Sequence, residues 1–392
     1  MNPRVPRVGS AATALGAVAV AALSLAPVVY LFATGISLGD IRAEFRYAAT
    51  TSAMVQTLQL VVLVSVLTVG LGVLGAVMVV RTTVAFPRTW TVLLTLPLAV
   101  PGFVSAYAAF SAELVFAPQR TWVTSLPGAS LVLALSLYPY VFLPCVVALR
   151  NIDPALEEMS ANLSASRLSR IRHVTLPSLR PALAAGLLIV ALHVLAEYGA
   201  MVQLGRSTLT TKIMAEMLDY GDYTSARSLS LLLAGFSILV LLGTRLLSPS
   251  GSAHRVARGT TRPPTRVRLG RRQVPVQVVA LLVPLLAVGP TVLMTVRGLT
   301  NVRRSVPVEW GQVISALSST AGYALVAAAV ATVAAFPVSW WINRRPSTAS
   351  MLTERSVWVA HAIPRAIPPL ALVFLATRLP PPPSTTPTVP VA

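Results

Sequence analysis

What this chain has least of is negative charge. Twelve Asp and Glu stand among 392 residues, against 31 Lys and Arg, and charged residues of all kinds make up 11%. A soluble domain carries about a quarter of its residues as charges, so a water-coated globule of this size is excluded. Lysine is nearly missing, with Lys212 alone among the arginines. Cysteine is represented by Cys145, inside an apolar run, which excludes a disulfide framework and leaves the redox compartment unread. His173, His254 and His361 are scattered without metal-ligand spacing. No stretch reads G-x-x-x-x-G-K-[ST], which removes an ATPase role, and no catalytic constellation is found. The chain is expected to be no enzyme and to carry no cofactor.

What is present is hydrocarbon. Hydrophobic residues make up 55%, and uncharged runs of twenty or more recur. The run from Leu58 to Val80 has 23 residues without a charge. At about 1.5 Å per residue a helix of that length crosses the roughly 30 Å hydrocarbon core. Backbone inside lipid must satisfy its own hydrogen bonds, and these runs have helical length, so the expected fold is an all-α polytopic bundle. The formal charge of +19 would suggest nucleic acid in a soluble protein. Here the arginines fall between apolar runs, where they act as topology signals, and no nucleic-acid partner is expected.

Candidate spans lie near 11–36, 54–80, 91–116, 129–149, 181–203, 226–248, 274–296, 320–342 and 356–376, nine in all. Arg4 and Arg7 precede the first run, which is longer than a signal-peptide core and is read as an uncleaved helix with a cytoplasmic N-terminus. Counting from there, the Arg-bearing segments after the second, fourth, sixth and eighth spans lie inside, as the positive-inside rule requires, whereas Arg297, Arg303 and Arg304 fall outside. This places the chain in the cell inner (plasma) membrane as a multi-pass protein. Residues 249–273, "PSGSAHRVARGTTRPPTRVRLGRRQ", read as a basic cytoplasmic linker, with contact to anionic membrane lipid as the alternative.

The two sides of that linker resemble each other. "VQTLQLVVLV" through Arg81 parallels "SSTAGYALVA" through Arg344 at an offset of 263, and "LPLAVPG" (Leu96 to Gly102) parallels "IPRAIPP" (Ile363 to Pro369) at 267. Each copy carries Pro-x-x-x-Pro, read as the start of a span. Transporters are often built from such repeated halves. The division that follows is a first half, 1–248, with six spans and a cytoplasmic loop at 150–180; the linker 249–273; a partial second half, 274–376, with three spans; and a proline-rich tail, 377–392.

One polar passage interrupts the first half, "DPALEEMSANLSASRLSRIRHVTLPSLRPAL", Asp153 to Leu183. Asp153 suits an N-cap, Pro154 the first turn, and Glu157 and Glu158 the positive end of a helix. The spacing predicts a short helix, an interruption around Ser164, and a second helix that Pro177 ends or bends. Such a helix-turn-helix on the cytoplasmic face suits docking to a soluble partner.

At these residues the chain resembles the permease subunits of binding-protein-dependent ABC importers. Their loop carries Glu-Ala-Ala, then Gly, then Ile-x-Leu-Pro, and Glu158, Met159, Ser160, Ser164, Val174, Leu176 and Pro177 stand at those positions. Met159 and Ser160 replace the alanines, Val174 the isoleucine, and Ser164 the glycine that lets the helices turn. The resemblance implies a type I ABC importer permease bundle, an ATPase-coupling loop through Asp153, Pro154, Glu157, Glu158, Ser164, Val174, Leu176 and Pro177, and two partners: an ABC ATPase subunit and an extracytoplasmic solute-binding protein.

"EYGAMVQLGRSTLTTKI", Glu197 to Ile213, resembles the ferric-iron type, whose segment carries Glu-Phe-Gly-Ala and Thr-Leu-Thr-Thr-x-Ile and which fuses two halves in one chain. Permeases for thiamine, polyamine, sulfate and molybdate have similar loops and remain alternatives. A secondary transporter is the other class, and it would need charged relay residues within several spans, of which the sequence offers few. His193 and Glu197, four residues apart in the fifth span, read as a hydrogen-bonding pair on one helix face, with a pathway or iron-ligand role as the alternative; Glu113 reads as an interfacial carboxylate. In the first half Glu158 follows Pro101 by 57 residues, so a second coupling Glu is expected near position 425, beyond residue 392. The expectation is a truncated or frameshifted, inactive product, or one that pairs with a second permease chain.

Overall fold

The computed structural model describes residues 7–33, 36–152, 169, 175–247, 266–300, 309–344 and 347–362. Among them the regular structure is helical apart from a single bridge, Thr82 to Val267. The helices are α1 (Arg7–Ala33), α2 (Leu38–Glu44), α3 (Ala48–Arg81), α4 (Pro87–Thr95), a 3-10 turn (Leu96–Ala99), α5 (Gly102–Phe116), α6 (Leu126–Leu137), α7 (Pro139–Arg150), α8 (Leu176–Ala196), α9 (Gly199–Gln203), α10 (Leu209–Leu218), α11 (Tyr223–Leu247), α12 (Gln273–Thr300), α13 (Trp310–Arg344) and α14 (Thr348–Ala362). Five helices are long and apolar enough to cross a membrane, and seven spans result if each of two bent pairs counts as one. The chain is a polytopic, all-α membrane protein.

Two compact units are formed, Leu38–Val308 on one side and Met1–Ser37 with Glu309–Ala392 on the other. The spine of the first is α3, whose 34 residues reach about 51 Å. Its buried positions, Thr50, Ala53, Thr57, Leu60, Val64, Thr68, Gly72, Ala76 and Val79, recur every three or four residues and are mostly small. Lipid tails are as apolar as leucine, so close backbone approach rather than oiliness holds such helices together. That stripe faces α6, α7 and α8. At Gly72 an added Cβ would lie 2.9 Å from Phe142 N, and at Gly186 of α8 it would lie 2.8 Å from Tyr140 O. Both glycines admit the first turn of α7, whose Tyr138, Val141 and Phe142 are fully buried. Hydroxyls within the bundle return to their own helix, as when Thr57 Oγ1 donates to Ala53 O (2.7 Å) and Ser237 Oγ to Leu233 O (3.0 Å).

Two expected spans are broken. Within 91–116 the chain turns by 88° between the 3-10 turn and α5, and within 129–149 it turns by 46° between α6 and α7. Pro97 and Pro101, expected to open a span, mark the first of these breaks from inside it, because neither ring nitrogen can donate to the helix. The fifth span begins earlier than 181 and stops at Ala196 rather than 203. Pro177, expected to end or bend the helix before it, lies in the first turn of α8, where a missing N–H costs nothing.

Residues 266–269, at the far end of the expected linker, are fastened to the end of α3. Val267 N donates to Arg81 O (2.8 Å), Thr83 N to Val267 O (3.1 Å) and Leu269 N to Thr83 Oγ1 (3.2 Å). A 3-10 turn, Gly270–Arg272, then runs directly into α12. In the other unit α1 packs on α13 and α14, with Gly16 against Pro337, where an added Cβ would stand 3.3 Å from the proline ring. Near the end of α13, Phe336 stacks on Trp340, and the Arg344 guanidinium lies 4.6 Å over the Trp340 ring, an aromatic-cation pairing of the kind that anchors helix ends at a membrane surface.

Candidate functional site: a cluster of interrupted spans

Of the expected coupling residues, Asp153, Pro154, Glu157, Glu158, Ser164 and Val174 lie outside the described residues, as do 249–265 and 363–392 with the second Pro-x-x-x-Pro and the tail. Leu176 and Pro177 form the first turn of α8, with Leu176 exposed and free to meet a neighbour. The structure therefore directs attention to the opposite end of α8. Twenty-one residues of helix carry the chain about 30 Å, roughly one hydrocarbon thickness, from Leu176 to its end at Ala196.

Three interruptions in the spans make long-range contacts. Tyr138, at the bend between α6 and α7, donates its buried hydroxyl to Leu94 O (2.6 Å), a carbonyl in the last turn of α4, where the helix begins to run out of its own donors. Pro139 has no N–H to give to the turn before it, while Tyr138 itself keeps helical backbone (φ −56°, ψ −27°). Glu197 caps α8 with extended backbone (φ −78°, ψ 116°), so it has left the helix on which His193 sits. Glu197 therefore stands just past the helix that carries His193, and the His193 ring lies against Tyr140 of α7, 5.5 Å between centroids.

Glu197 is half-buried and bridges two breaks. Its Oε1 accepts the Ala200 N–H (2.8 Å) at the start of α9, and Oε2 faces the start of α5, where a Cβ on Gly102 would stand 3.6 Å away. A Cβ on Gly199 would lie 3.0 Å from Phe103 Cβ, so the missing side chain lets α9 sit close against the start of α5. The main chain of the break is tied on its other side. Thr210 Oγ1 donates to Glu197 O (2.8 Å), and Leu209 N donates to Thr57 Oγ1 of α3 (3.0 Å). Thr208 and Thr211 close a capping box that starts α10. One turn away Arg206 spans two elements, donating from Nη2 to Gln56 Oε1 (2.6 Å) and from Nη1 to Thr124 O (3.3 Å). Glu113 accepts the backbone N–H of Trp122 and Val123 at 2.8 and 3.0 Å, so this carboxylate orders the loop between α5 and α6.

Sequence reading singled out Glu197, His193 and Glu113 but not Tyr138, Thr57, Gly102 or Arg206. The signals for the first and third were Tyr-Pro and Pro-Gly inside apolar runs; Thr57 and Arg206 depend on contacts 150 or more residues apart, which no local pattern carries. Among the described residues no three of His, Cys, Asp and Glu converge in a way that could hold a metal ion. The arrangement offers a set of half-helices joined by few and separable bonds within a helical bundle. Such discontinuous helices are where transporters place their pathways.

Residues 68–250 match a family described as the binding-protein-dependent transport system inner membrane component. An Fe(3+)-transport system permease protein of Haemophilus influenzae is 27% identical over 323 residues, covering 82% of this chain and 62% of the relative. The chain therefore spans under two thirds of that relative's length. A sulfate transport system permease protein of Salmonella typhimurium is 28% identical over 165 residues, 39% of this chain and 58% of the relative. A ferric transport system permease protein of Actinobacillus pleuropneumoniae is 31% identical over 146 residues, 36% of this chain and 20% of the relative.

Proposed function

We propose that this chain is a permease subunit of an ATP-driven importer for ferric iron, because residues 68–250 match the family described as the binding-protein-dependent transport system inner membrane component. It receives its solute from an extracytoplasmic binding protein and couples to a separate ABC ATPase through residues 150–180. The observation that carries the transport reading is the cluster of interrupted spans, all of which fall inside the matched residues. Ferric iron as the solute is supported by the likeness to an iron permease along 82% of the chain. The family is a transport permease, and its chemistry is movement of solute rather than bond making.

The two long helices support a repeated architecture. α3 has 34 residues ending at Arg81 and α13 has 35 ending at Arg344, the same offset of 263 that relates their sequences. A first half over 1–248 and a second beginning after 249–273 follow, with 150–180 and 249–273 in the cytoplasm, 204–225 outside, and lipid along the exposed apolar faces. A second permease chain is a further partner in this reading.

The test is uptake of radiolabelled ferric iron in cells where this chain, its ATPase and its binding protein are the sole iron system, with radiolabelled sulfate in parallel. Iron uptake without sulfate uptake is expected; the reverse would transfer the chain to the oxyanion solutes that the second relative's name indicates. Glu158→Lys is expected to insert normally but to lose most solute-stimulated ATP hydrolysis. Full stimulation in that variant would sink the coupling assignment.

A further inference from the structure

The break at Glu197 is fastened unequally. Its main chain is held to α10 by a directed hydrogen bond, Thr210 Oγ1 to Glu197 O, and α10 is held to α3 by Leu209 N to Thr57 Oγ1. Toward α5 no such bond crosses among the described residues. Among them Glu197 Oε2 meets no hydrogen-bond donor, and α9 rests on α5 by van der Waals contact at Gly102, Phe103 and Gly199. What does cross is charge: a carboxylate stands at the first turn of a fifteen-residue helix, whose unpaired N–H groups and dipole attract it. An attraction of this kind holds without locking, because it is lost once the helix moves by a few ångströms.

The position adds to this. The contact lies about 30 Å of helix from Leu176, at the opposite end of α8 from the coupling loop. Ser105 and Ala106, one turn after Gly102 on α5, and Met201 of α9 are buried. α5 itself can swing, since it is joined at its start by Val100 and Pro101, outside any helix, and at its end by the loop that Glu113 orders. We propose that the α5–α9 contact is the extracytoplasmic gate of the pathway, and that Glu197 is the positioning residue that latches it shut by its charge at the start of α5. The inference deepens the importer reading and rests on it for the word gate. Glu197 here binds no solute; it sets the resting state of the helix that the solute must pass.

The latch is tested by access, which needs no solute. In a Cys145→Ala background, Ser105→Cys places a thiol of nearly the same size beneath the contact. Its rate of modification by a membrane-impermeant maleimide is followed in intact cells. Glu197→Gln keeps an acceptor for Ala200 N–H and removes the charge, so it separates latching from simple capping of α9. The expected result is a rise in labelling rate of roughly tenfold, with the protein present in the membrane at its normal level. Gly102→Ala, which leaves the charge and places a methyl at ordinary contact distance from Oε2, is expected to leave the rate near that of the parent. Unchanged labelling in Glu197→Gln overturns the latch, and so does a rise for Glu197→Ala that Glu197→Gln does not share, since capping alone then accounts for it. Failure of the importer reading would show separately, as absent solute uptake by the unaltered protein.

Discussion

Gly70 and Gly72 stand two residues apart on α3 and should respond oppositely to the same methyl group. At Gly70 nothing lies within 4 Å of an added Cβ. Gly70→Ala therefore gains only helix propensity, about 1 kcal/mol in favour of alanine. At Gly72 the added carbon would lie 2.9 Å from Phe142 N and 2.9 Å from Val141 Cβ. The first of these atoms is backbone in a helix clamped between α3 and α8, so the clash is relieved by moving a helix rather than a rotamer. Overpacking of this kind costs about 1–3 kcal/mol, which, set against the propensity gain of about 1 kcal/mol, leaves Gly72→Ala less stable by up to about 2 kcal/mol. Gly186→Ala presses the same turn from α8, at 2.8 Å from Tyr140 O and 2.9 Å from Val141 Cα, and should lose a similar amount. Because both push on Val141, the double variant should depart from the sum of the two losses. The assay is retention of the monodisperse peak in size-exclusion chromatography after heating the detergent-purified protein. Gly72→Ala and Gly186→Ala should melt several degrees lower, with Gly70→Ala unchanged or higher. Equal melting of Gly70→Ala and Gly72→Ala would refute the argument that backbone contact at the stripe holds this bundle.

Removing the Glu113 carboxylate, as Glu113→Ala, leaves two loop N–H groups without their acceptor, and trypsin added outside should cut after Arg120 several times faster; an unchanged rate would remove its ordering role. Asp222 precedes α11 and accepts from Ser225 N–H, Ser225 Oγ and Thr224 N–H, which hold its carboxyl below the ordinary 3.8. A depressed value means the cap is fully present above about pH 4 and is lost as pH falls through the folded value, so amide exchange at Ser225, corrected for its intrinsic rate, should quicken only below pH 4. A change between pH 5 and 8 would contradict this. For orientation, a cysteine at position 166 should be modified only from the cytoplasmic side and one at position 220 only from outside, each in a background without Cys145; the opposite pattern would invert the assignment.

The sequence disclosed where the spans are but not their direction. Apolar length located α11 and α12 within four residues and the ends of α3 and α13 within two, although α3 begins six residues and α13 ten residues earlier than expected, because crossing hydrocarbon needs a run of uncharged residues whatever surrounds it. Hydropathy is a composition averaged along the chain, so the 88° turn before Gly102 and the 46° turn at Tyr138 lie inside stretches that read as continuous. The prolines were visible there, yet a proline states only that a donor is missing. Whether the chain bends, starts or stops depends on which neighbour donates to the freed carbonyl, as the Tyr138 hydroxyl does to Leu94 O. Glu197 was legible as an unusual residue in a span. Its use was not, since the helix stops one residue earlier and the group it faces, Gly102, lies 95 positions away in the chain.

The hydrogen bonds that fasten residues 267–269 to Arg81 and Thr83 make a mechanical linkage. A helix of about 51 Å is a stiff rod, and a force applied anywhere along α3 arrives at its Arg81 end with little loss. That end grips a short extended segment, which after one turn of 3-10 helix becomes the 28-residue rod of α12. Displacement of one rod is therefore handed to the other through three hydrogen bonds, as a crankpin joins two shafts. α12 packs on α4 and α5, so the movement it receives from α3 is delivered to the helices on both sides of the break at Pro101.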